Sequence, residues 1–324
     1  WRELAAADQP AEVVVMARPP QTAEPASAAQ LAPVFERTIS LTDHSVLRSH
    51  VLNDKAVVPF VLHLEWMAHA AMHGNPGLKF HGFDDLRIFQ GIHVDEATPA
   101  ELRVLCGRAA KRDGLFAVPV EVHGTKNRRE VTYSRAEILL VDRLPDPEPA
   151  SAPPPTEPYD RTVEDVYDDV LFHGPDLRAL ERIDGLSAAG IVAAARTAPA
   201  PGEWMEHPVR GSWIADPLAL DAAFQMLVLW TVRRHGAASL PCFAGRYRQF
   251  RRSFPAEGIT ITLKVKRDSA ATAQADVEFL DADGRLVAKM TDAEHVMDAS
   301  LNDAFRRGRL AHAGSGARVG EMGS

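Results

Sequence analysis

The sequence predicts an α+β fold in which one plan, a long buried helix followed by antiparallel strands, is used twice. Two segments have helical apolar spacing, at 61–73 and 218–234, and strand-like segments follow each of them. Seven prolines lie between the two blocks, from Pro145 to Pro158. Proline has no backbone donor and favours extended polyproline geometry, which is typical of a linker. We therefore predict two similar halves joined by an extended segment.

The first half is predicted to span 34–144. In its helix Leu62, Trp66 and Ala70 fall on one face. The strand-like segments that follow this helix are 101–106, 115–123 and 130–141. One helix packed against several strands is expected here.

The second half is predicted to span 160–299. Its helix is apolar almost throughout, so it should be buried on most sides. From Ile259 to Lys266 apolar and polar residues alternate, as in a half-buried strand. The segments 275–280 and 285–290 flank an Asp-Gly turn and predict a hairpin.

Three further segments complete the predicted organisation. Residues 1–33, rich in Pro, Ala and Gln in their second part, are expected to be an N-terminal linker, and 145–159 the linker between the halves. Residues 300–324 are rich in Gly, Ala and Arg and are predicted to be a disordered tail. Because the chain opens on Trp1 rather than Met, we expect it to be part of a longer protein.

Composition excludes several classes of protein. The 324 residues are 46% apolar, enough for a sizeable core, and 36 basic against 44 acidic residues give a net charge of −8. A nucleic-acid binder would be expected to have a basic excess. No apolar run approaches the ~20 residues of a membrane span. Two distant cysteines, Cys106 and Cys242, form neither a disulfide framework nor a zinc pattern, so we predict a reducing, cytoplasmic location.

Two places combine titratable groups with backbone signals. His50 precedes a turn, and Pro59 stands just before the first helix, where proline is well tolerated. Asp216 is a plausible helix cap, and Asp221 and Gln225 lie four residues apart on one face of the second helix. A buried carboxylate is costly unless it is paired or neutralised, so Asp221 is a candidate general acid.

Three motifs resemble those of dehydratase domains in polyketide and polyunsaturated fatty acid synthases. His50 and Pro59 fit a His-x3-Gly-x4-Pro motif, and Asp221 with Gln225 looks like the second motif of that family. The run 171–175 (Leu-Phe-His-Gly-Pro) resembles its Tyr-Gly-Pro signature. The run 63–89 looks most like the polyunsaturated fatty acid synthase branch. The resemblance covers about residues 35–298.

The resemblance implies a double hot-dog fold and a lyase that removes water from a 3-hydroxyacyl thioester. It implies that His50 is the general base and Asp221 the general acid, meeting at the seam of the halves, with Gln225 as support. The residues it implies near the substrate are Pro59, Phe60, His173, Gly174 and Pro175. The sequence departs from the motifs at several positions: Asp54 and Phe60 stand where Gly is usual, His173 replaces Tyr, and Leu177-Arg178 replace Phe-Gln.

The chemistry suits these residues. A neutral imidazole, with a reference pKa of ~6.5, can remove an α proton near neutral pH. Asp221 can protonate the leaving hydroxyl only if burial raises its pKa from ~3.9. Backbone N–H groups near 59–61, or beside Gly174, are expected to stabilise the thioester oxygen. The apolar faces of the two helices are expected to line an acyl tunnel.

The resemblance also implies partners. The substrate would be carried on the phosphopantetheine of an acyl carrier protein, with no directly bound cofactor and no metal. Neighbouring synthase domains and a homodimer are implied as well, with no nucleic acid and no membrane. A basic patch is a candidate docking surface for the carrier and consists of Arg246, Arg248, Arg251 and Arg252.

Two other functions stay open. A double-bond isomerase or a product-template-like cyclase could move a proton with the same residues without losing water. A catalytically degenerate, structural domain is the second alternative, and Asp54 and Phe60 favour it. Because each half supplies one member of the proposed pair, neither half is expected to be active alone.

Overall fold

The computed structural model describes residues 31–126 and 128–317, with 309–317 described by their backbone alone. The elements of the first half are β1 (Ala32–Ile39), β2 (Val51–Leu52), β3 (Lys55–Val57), α1 (Phe60–His73), β4 (Lys79–Ile88), β5 (His93–Val94), β6 (Ala100–Cys106), β7 (Ala110–Arg112), β8 (Leu115–Lys126) and β9 (Arg129–Val141). Those of the second half are α2 (Val163–Asp169), β10 (Leu180–Ser187), β11 (Gly190–Ala195), α3 (Pro201–Trp204), α4 (Pro217–His235), β12 (Ser239–Gln249), β13 (Ile259–Asp268), β14 (Thr272–Leu280), β15 (Leu286–Met297) and α5 (Ser300–Ala317).

One antiparallel sheet runs through both halves. Its order is β1-β6-β8-β9-β4-β12-β15-β14-β13-β11-β10, with β7 paired to β8. The halves meet where β4 pairs with β12. Helix α1 packs on β4, β6, β8 and β9, helix α4 packs on β11 to β15, and the two helices contact each other. The predicted plan of a helix against antiparallel strands, used twice, is therefore confirmed.

Helix α4 begins and ends as its sequence predicts. The Asp216 side chain accepts a hydrogen bond from the Ala219 N–H at 2.8 Å, and Pro217 is the first helical residue. The helix ends at Gly236, whose φ of 67° is left-handed. Among the described residues, no helix is both long and apolar enough to cross a membrane.

A glycine allows the two halves to pair closely. Gly82 on β4 has a φ of +151°, and a Cβ atom built there would lie 1.8 Å from the Tyr247 carbonyl oxygen on β12. No side chain fits in that space. The seam of the sheet therefore depends on glycine at this position.

The proline-rich segment 145–159, here called the strap, lies against the second half. The Ser151 N–H and hydroxyl both donate to the Glu278 carboxylate, at 2.9 and 2.8 Å. Further along, Glu157 pairs with Leu186 of β10. The strap is thus an extended connection held by hydrogen bonds to the half that follows it.

The prediction of a disordered tail is wrong for residues 300–317, which form α5. Leu301, Ala304 and Phe305 are buried at helical spacing, and Gly308 approaches the Val51 carbonyl so closely that a Cβ would lie 2.4 Å from it. The Gly, Ala and Arg content suggested disorder, but this apolar face packs on the first half. The predicted linker at 1–30 and the tail at 318–324 lie outside the described residues.

Candidate active site

The backbone of a hairpin fixes His50 in one tautomer. His50 follows a short 3₁₀ turn and is 8% exposed. Its Nδ1 lies 2.7 Å from the Val57 carbonyl oxygen. Because a carbonyl only accepts, Nδ1 must carry the proton and donate it. Nε2 of the neutral ring therefore has the lone pair that a general base needs.

The hairpin explains why Asp54 is tolerated where the motif has Gly. Strands β2 and β3 pair through Val51 and Ala56, and their turn is Asn53-Asp54. Both turn residues have left-handed φ values, 49° and 61°. Asn and Asp adopt this region more easily than most residues do, and two such residues form a tight hairpin turn. The departure therefore keeps the backbone conformation that holds His50.

Asp221 lies one turn into α4 and is 4% exposed. Its Oδ2 accepts a hydrogen bond from Gln225 Nε2 at 2.7 Å and lies 3.3 Å from His173 Nε2. Burial by itself would raise the pKa of Asp221, but the hydrogen bond and charge of His173, the charge of His50 and the Gln225 bond hold it below its ordinary value. The condition set for Asp221 as the acid, a raised pKa, is therefore not met by burial alone, because basic groups are buried with the carboxylate.

Gln225 connects Asp221 to a buried tyrosine. Its Nε2 also donates to the Leu177 carbonyl at 2.8 Å, and its Oε1 accepts from the Tyr167 hydroxyl at 2.7 Å. That hydroxyl accepts in turn from the Leu180 N–H at 2.9 Å. Gln225 has the supporting contact expected of it. Tyr167, on α2, was not predicted, because no sequence spacing relates it to α4.

The His-Gly-Pro segment brings the second half against His50. The Gly174 N–H donates to the Ser49 carbonyl at 2.8 Å, and the Ser49 hydroxyl donates to Asp176 at 2.9 Å. The Gly174 amide is therefore not a free donor for a thioester oxygen, contrary to one expectation. The 3₁₀ turn that follows begins at Pro175. His173 itself lines the cavity described below.

One cavity of about 750 Å³ receives side chains from both halves. Its lining includes His50, Phe60, His63, His173, Asp221 and Phe224. Pro59 is the cap of α1, Phe60 is its first residue, and the Phe60 and Phe224 rings meet at a centroid distance of 4.8 Å. The expected apolar space between α1 and α4 is present, and the two predicted catalytic side chains face it.

Sequence reasoning missed two parts of the cavity wall. The first is His63, which is fully buried, with Nδ1 2.8 Å from the Ser134 hydroxyl, and whose pKa burial lowers to about 3. The second is α5, which contributes Leu301, Ala304 and Arg307. The spacing of those three residues could have indicated a helix. His63 carries no signal that separates it from a core histidine.

Three arginines of the candidate docking patch form ion pairs within the chain. Arg246 and Arg248 pair with Asp84 across the seam, at 3.6 and 2.8 Å, and Arg251 pairs with Asp281. Neither these arginines nor Arg252 lines the cavity. Arg246 and Arg248 therefore pair across the β4–β12 seam, and Arg251 joins the segment after β12 to the turn after β14.

A possible metal cluster lies elsewhere in the described chain. Asp43, Glu206 and His207 bring ligand atoms within 4.8 Å of one another. Asp43 already pairs with His207 and Arg37, at 2.9 and 3.8 Å. None of these residues lines the cavity.

Comparisons with known proteins agree with this architecture. The family model described as polyketide synthase dehydratase domain matches residues 22–123, and the model described as polyketide synthase dehydratase N-terminal domain matches residues 145–297. A polyunsaturated fatty acid synthase polypeptide of Thraustochytrium sp. is 27% identical over 219 residues. That match covers 67% of this chain and 8% of the relative, so the chain spans less than a tenth of the relative's length.

Solved structures show the same fold. The dehydratase domain from the CurF module of curacin polyketide synthase has a TM-score of 0.64 at 14% identity, covering 82% of this chain and 92% of its own. The dehydratase domain of PpsC from Mycobacterium tuberculosis, in complex with C12:1-CoA, has a TM-score of 0.61 at 17% identity, covering 86% and 97%. The predicted α+β double hot-dog fold is confirmed. With both halves matched by family models, this chain belongs to the polyketide synthase dehydratase domain family.

Proposed function

We propose that this domain eliminates water from a 3-hydroxyacyl thioester to give the 2-enoyl thioester, within a multidomain synthase. The observation that carries the proposal is the placement of His50 and Asp221, from different halves, on the wall of one cavity, with the His50 tautomer fixed by Val57. A base and an acid group on a shared, partly apolar cavity are what this elimination requires.

In the proposed reaction, His50 Nε2 removes the proton from the carbon next to the thioester. The electron pair forms the double bond as the hydroxyl on the next carbon leaves, protonated from the side of Asp221. The thioester oxygen gains negative charge, and the N–H groups at the start of α1 near Phe60 are the proposed donors to it. Loss of water involves no net oxidation or reduction, so the elimination requires no redox cofactor.

The acyl chain is proposed to lie between α1 and α4, where Phe60 and Phe224 form an apolar wall. A fold neighbour, the PpsC dehydratase domain, was solved with C12:1-CoA, an acyl thioester. We propose that this chain takes its substrate from the phosphopantetheine of an acyl carrier protein, beside other synthase domains. Homodimer formation and a cytoplasmic location stay predictions.

The test is to incubate the domain with a 3-hydroxyacyl thioester and follow the product mass. Loss of one water is the expected result. Rearrangement without a mass change would instead indicate an isomerase or cyclase, and absence of reaction would indicate a degenerate domain. His50→Gln and Asp221→Asn are expected to lower kcat at least ~10²-fold, the smaller end of general acid–base contributions. His73→Gln and Asp283→Asn, at exposed positions, are the matched controls.

A further inference from the structure

His173 is the most unusual group in the cavity. Its ring is 5% exposed, its Nε2 lies 3.3 Å from Asp221 Oδ2, and its Nδ1 has no hydrogen-bond partner among the described residues. Its ring centroid is 5.5 Å from that of His50. A residue that only forms a turn needs neither a buried carboxylate nor a second imidazole beside it. The surroundings of His173 therefore indicate a role in the site.

The carboxylate is arranged to receive a proton from this ring. Gln225 Nε2 and His173 Nε2 both approach Oδ2 of Asp221. Gln225 is an amide that neither gains nor loses a proton near neutral pH, and Tyr167 and Leu177 hold it in place. His173 is therefore the neighbour that can exchange a proton with Asp221 through a direct contact.

We propose that His173 and Asp221 act as one unit that holds one transferable proton, besides the one that a neutral imidazole keeps, and delivers it to the leaving hydroxyl. His173 is then a positioning residue that acts through Asp221, and this inference rests on the proposed dehydration. The unit resolves a conflict in the site, because the His173 charge keeps the Asp221 pKa low while the reaction needs an acid there.

The proposed step balances its protons and electrons. His50 Nε2 takes the proton from the substrate carbon, the electron pair forms the carbon–carbon double bond, and the carbon–oxygen bond breaks. The hydroxyl takes the proton of the His173–Asp221 unit and leaves as water. The unit is then neutral imidazole plus carboxylate, and His50 is imidazolium. Before the next turnover the proton on His50 returns to the unit through solvent in the cavity.

Other titratable and charged groups lie near this unit or near the residues that contact it. They are His50 before β2, Tyr167 on α2, Asp176 and Arg178 around the 3₁₀ turn, Arg196 after β11 and His295 on β15. Tyr167 is bonded to Gln225, and burial raises the Tyr167 pKa while burial lowers that of His295. Neither therefore titrates near neutral pH.

The first experiment uses the full chain, a short 3-hydroxyacyl thioester and the variant His173→Ala. We expect kcat to fall about 100-fold with little change in KM, because general acid catalysis typically contributes 10²–10⁴-fold. Added imidazole should restore about a tenth of the lost activity, and pyrrole, a ring of similar size without a basic nitrogen, should restore none. His73→Ala, at an exposed histidine, is the matched control.

Equal rescue by imidazole and pyrrole, or a kcat within about twofold of the unchanged chain, would overturn the proposal, since either result means that packing alone matters. A second measurement covers a variant that fails to fold. In the unchanged chain labelled with ¹⁵N-histidine, the ring ¹⁵N shifts of His173 should show a proton on Nε2, and Asp221→Asn should move those shifts. His173 ring shifts that Asp221→Asn leaves unchanged would also reject the unit.

The two proposals fail in distinguishable ways. If the unchanged chain removes no water from the thioester, the proposed function is wrong, whereas the NMR measurement of the His173 ring still decides whether His173 and Asp221 share a proton. If water is lost but imidazole gives no specific rescue of His173→Ala, the dehydration stands and the His173 role falls.

Discussion

The two halves share a plan but provide their reactive groups differently. The first half presents His50 from a hairpin outside its helix, and the second presents Asp221 from within α4. In a helix interior the backbone N–H groups already donate to carbonyls, so a side chain four residues on, Gln225, donates to the carboxylate and positions it. At the hairpin, the Val57 carbonyl is available to fix the imidazole. Repetition of a fold therefore does not repeat its chemistry.

Each half also contains a buried histidine whose ring contacts a serine hydroxyl. His63 Nδ1 lies 2.8 Å from the Ser134 hydroxyl, and His295 Nδ1 lies 3.0 Å from the Ser239 hydroxyl. Both rings are fully buried, but only His63 lines the cavity. The same local contact thus lies on the cavity wall in one half and in the core in the other.

The largest effect is expected where the halves join. Gly82→Val should destabilise the fold by more than about 4 kcal/mol, because its side chain would collide with the Tyr247 carbonyl in the β4–β12 pairing. Gly190→Val is the comparison, since a Cβ there would lie 1.9 Å from the Leu263 carbonyl, within the second half. Chemical denaturation measures both.

The two glycines should differ in activity. For the fraction of each variant that stays folded, Gly82→Val should lose turnover because it separates the halves that supply His50 and Asp221. Gly190→Val should retain turnover per folded molecule. Equal loss in the two variants would mean that the seam has no special part in forming the site.

The next effect concerns acid stability. Burial lowers the pKa of both His63 and His295 to about 3, so the unfolded chain binds more protons than the folded chain between about pH 3 and 6.5. Above pH 6.5 both rings are neutral in the folded and unfolded chain, and the free energy of unfolding is not reduced. As the pH falls below 6.5, the unfolded chain takes up protons first and the free energy of unfolding decreases. By pH 4 each histidine should cost about 3 kcal/mol relative to pH 7.

His295→Leu should flatten part of this decline, measured as the free energy of unfolding from pH 4 to 7. His63→Leu should do the same and also change KM, because His63 lines the cavity. His73→Leu, at an exposed histidine, should leave the slope unchanged. Unchanged slopes in both buried variants would contradict the neutral, buried state of these rings.

A smaller effect is expected at Tyr167. Tyr167→Phe removes the hydroxyl that joins Gln225 to the Leu180 N–H, which should cost about 1–2 kcal/mol of stability and leave Gln225 less well oriented. We expect kcat to fall roughly tenfold, or about 1.4 kcal/mol, with KM little changed. Tyr133→Phe, at a buried tyrosine of the first half, is the control for stability alone, and an equal loss of kcat there would count against this role.

The smallest effect concerns α5. Arg307 contacts the Asn53 side chain on the hairpin that holds His50, and it is exposed. Arg307→Ala should raise KM for a thioester about threefold with an unchanged kcat, because exposed polar contacts contribute ~1 kcal/mol or less. Arg306→Ala removes an arginine that pairs with Asp303 on the same helix and should leave KM unchanged. A similar KM for both variants would argue against the contact.

The spacing of apolar residues correctly predicted several helices and strands. The segments 61–73 and 218–234 became α1 and α4, and the segments 275–280 and 285–290 lie in β14 and at the start of β15. Periodicity shows which face of an element is buried but not which neighbour buries it. The β4–β12 pairing was therefore not predictable, and neither were the ion pairs that Arg246 and Arg248 of the candidate docking patch form across it.

The same limit applies to the site. Motif spacing indicated His50, Asp221 and Gln225, and all three lie on the cavity wall. The low pKa of Asp221 depends on His173, a contact formed only when α4 and the His-Gly-Pro segment pack together. The contact of Tyr167 with Gln225 could likewise not be predicted, because a hydrogen bond between distant segments leaves no local sequence pattern.

Helix α5 is the last part of the cavity wall to be synthesised. It begins at Ser300, after residue 297 where the family match ends, and it contacts a hairpin residue 254 positions earlier in the chain. At ~5–20 residues per second, a ribosome needs roughly 10–50 s to make that intervening chain. During synthesis, His50 therefore emerges long before the helix that closes the wall around it. This part of the cavity wall is among the last parts of the molecule to be synthesised, so a partly made chain would contain His50 without the complete cavity around it.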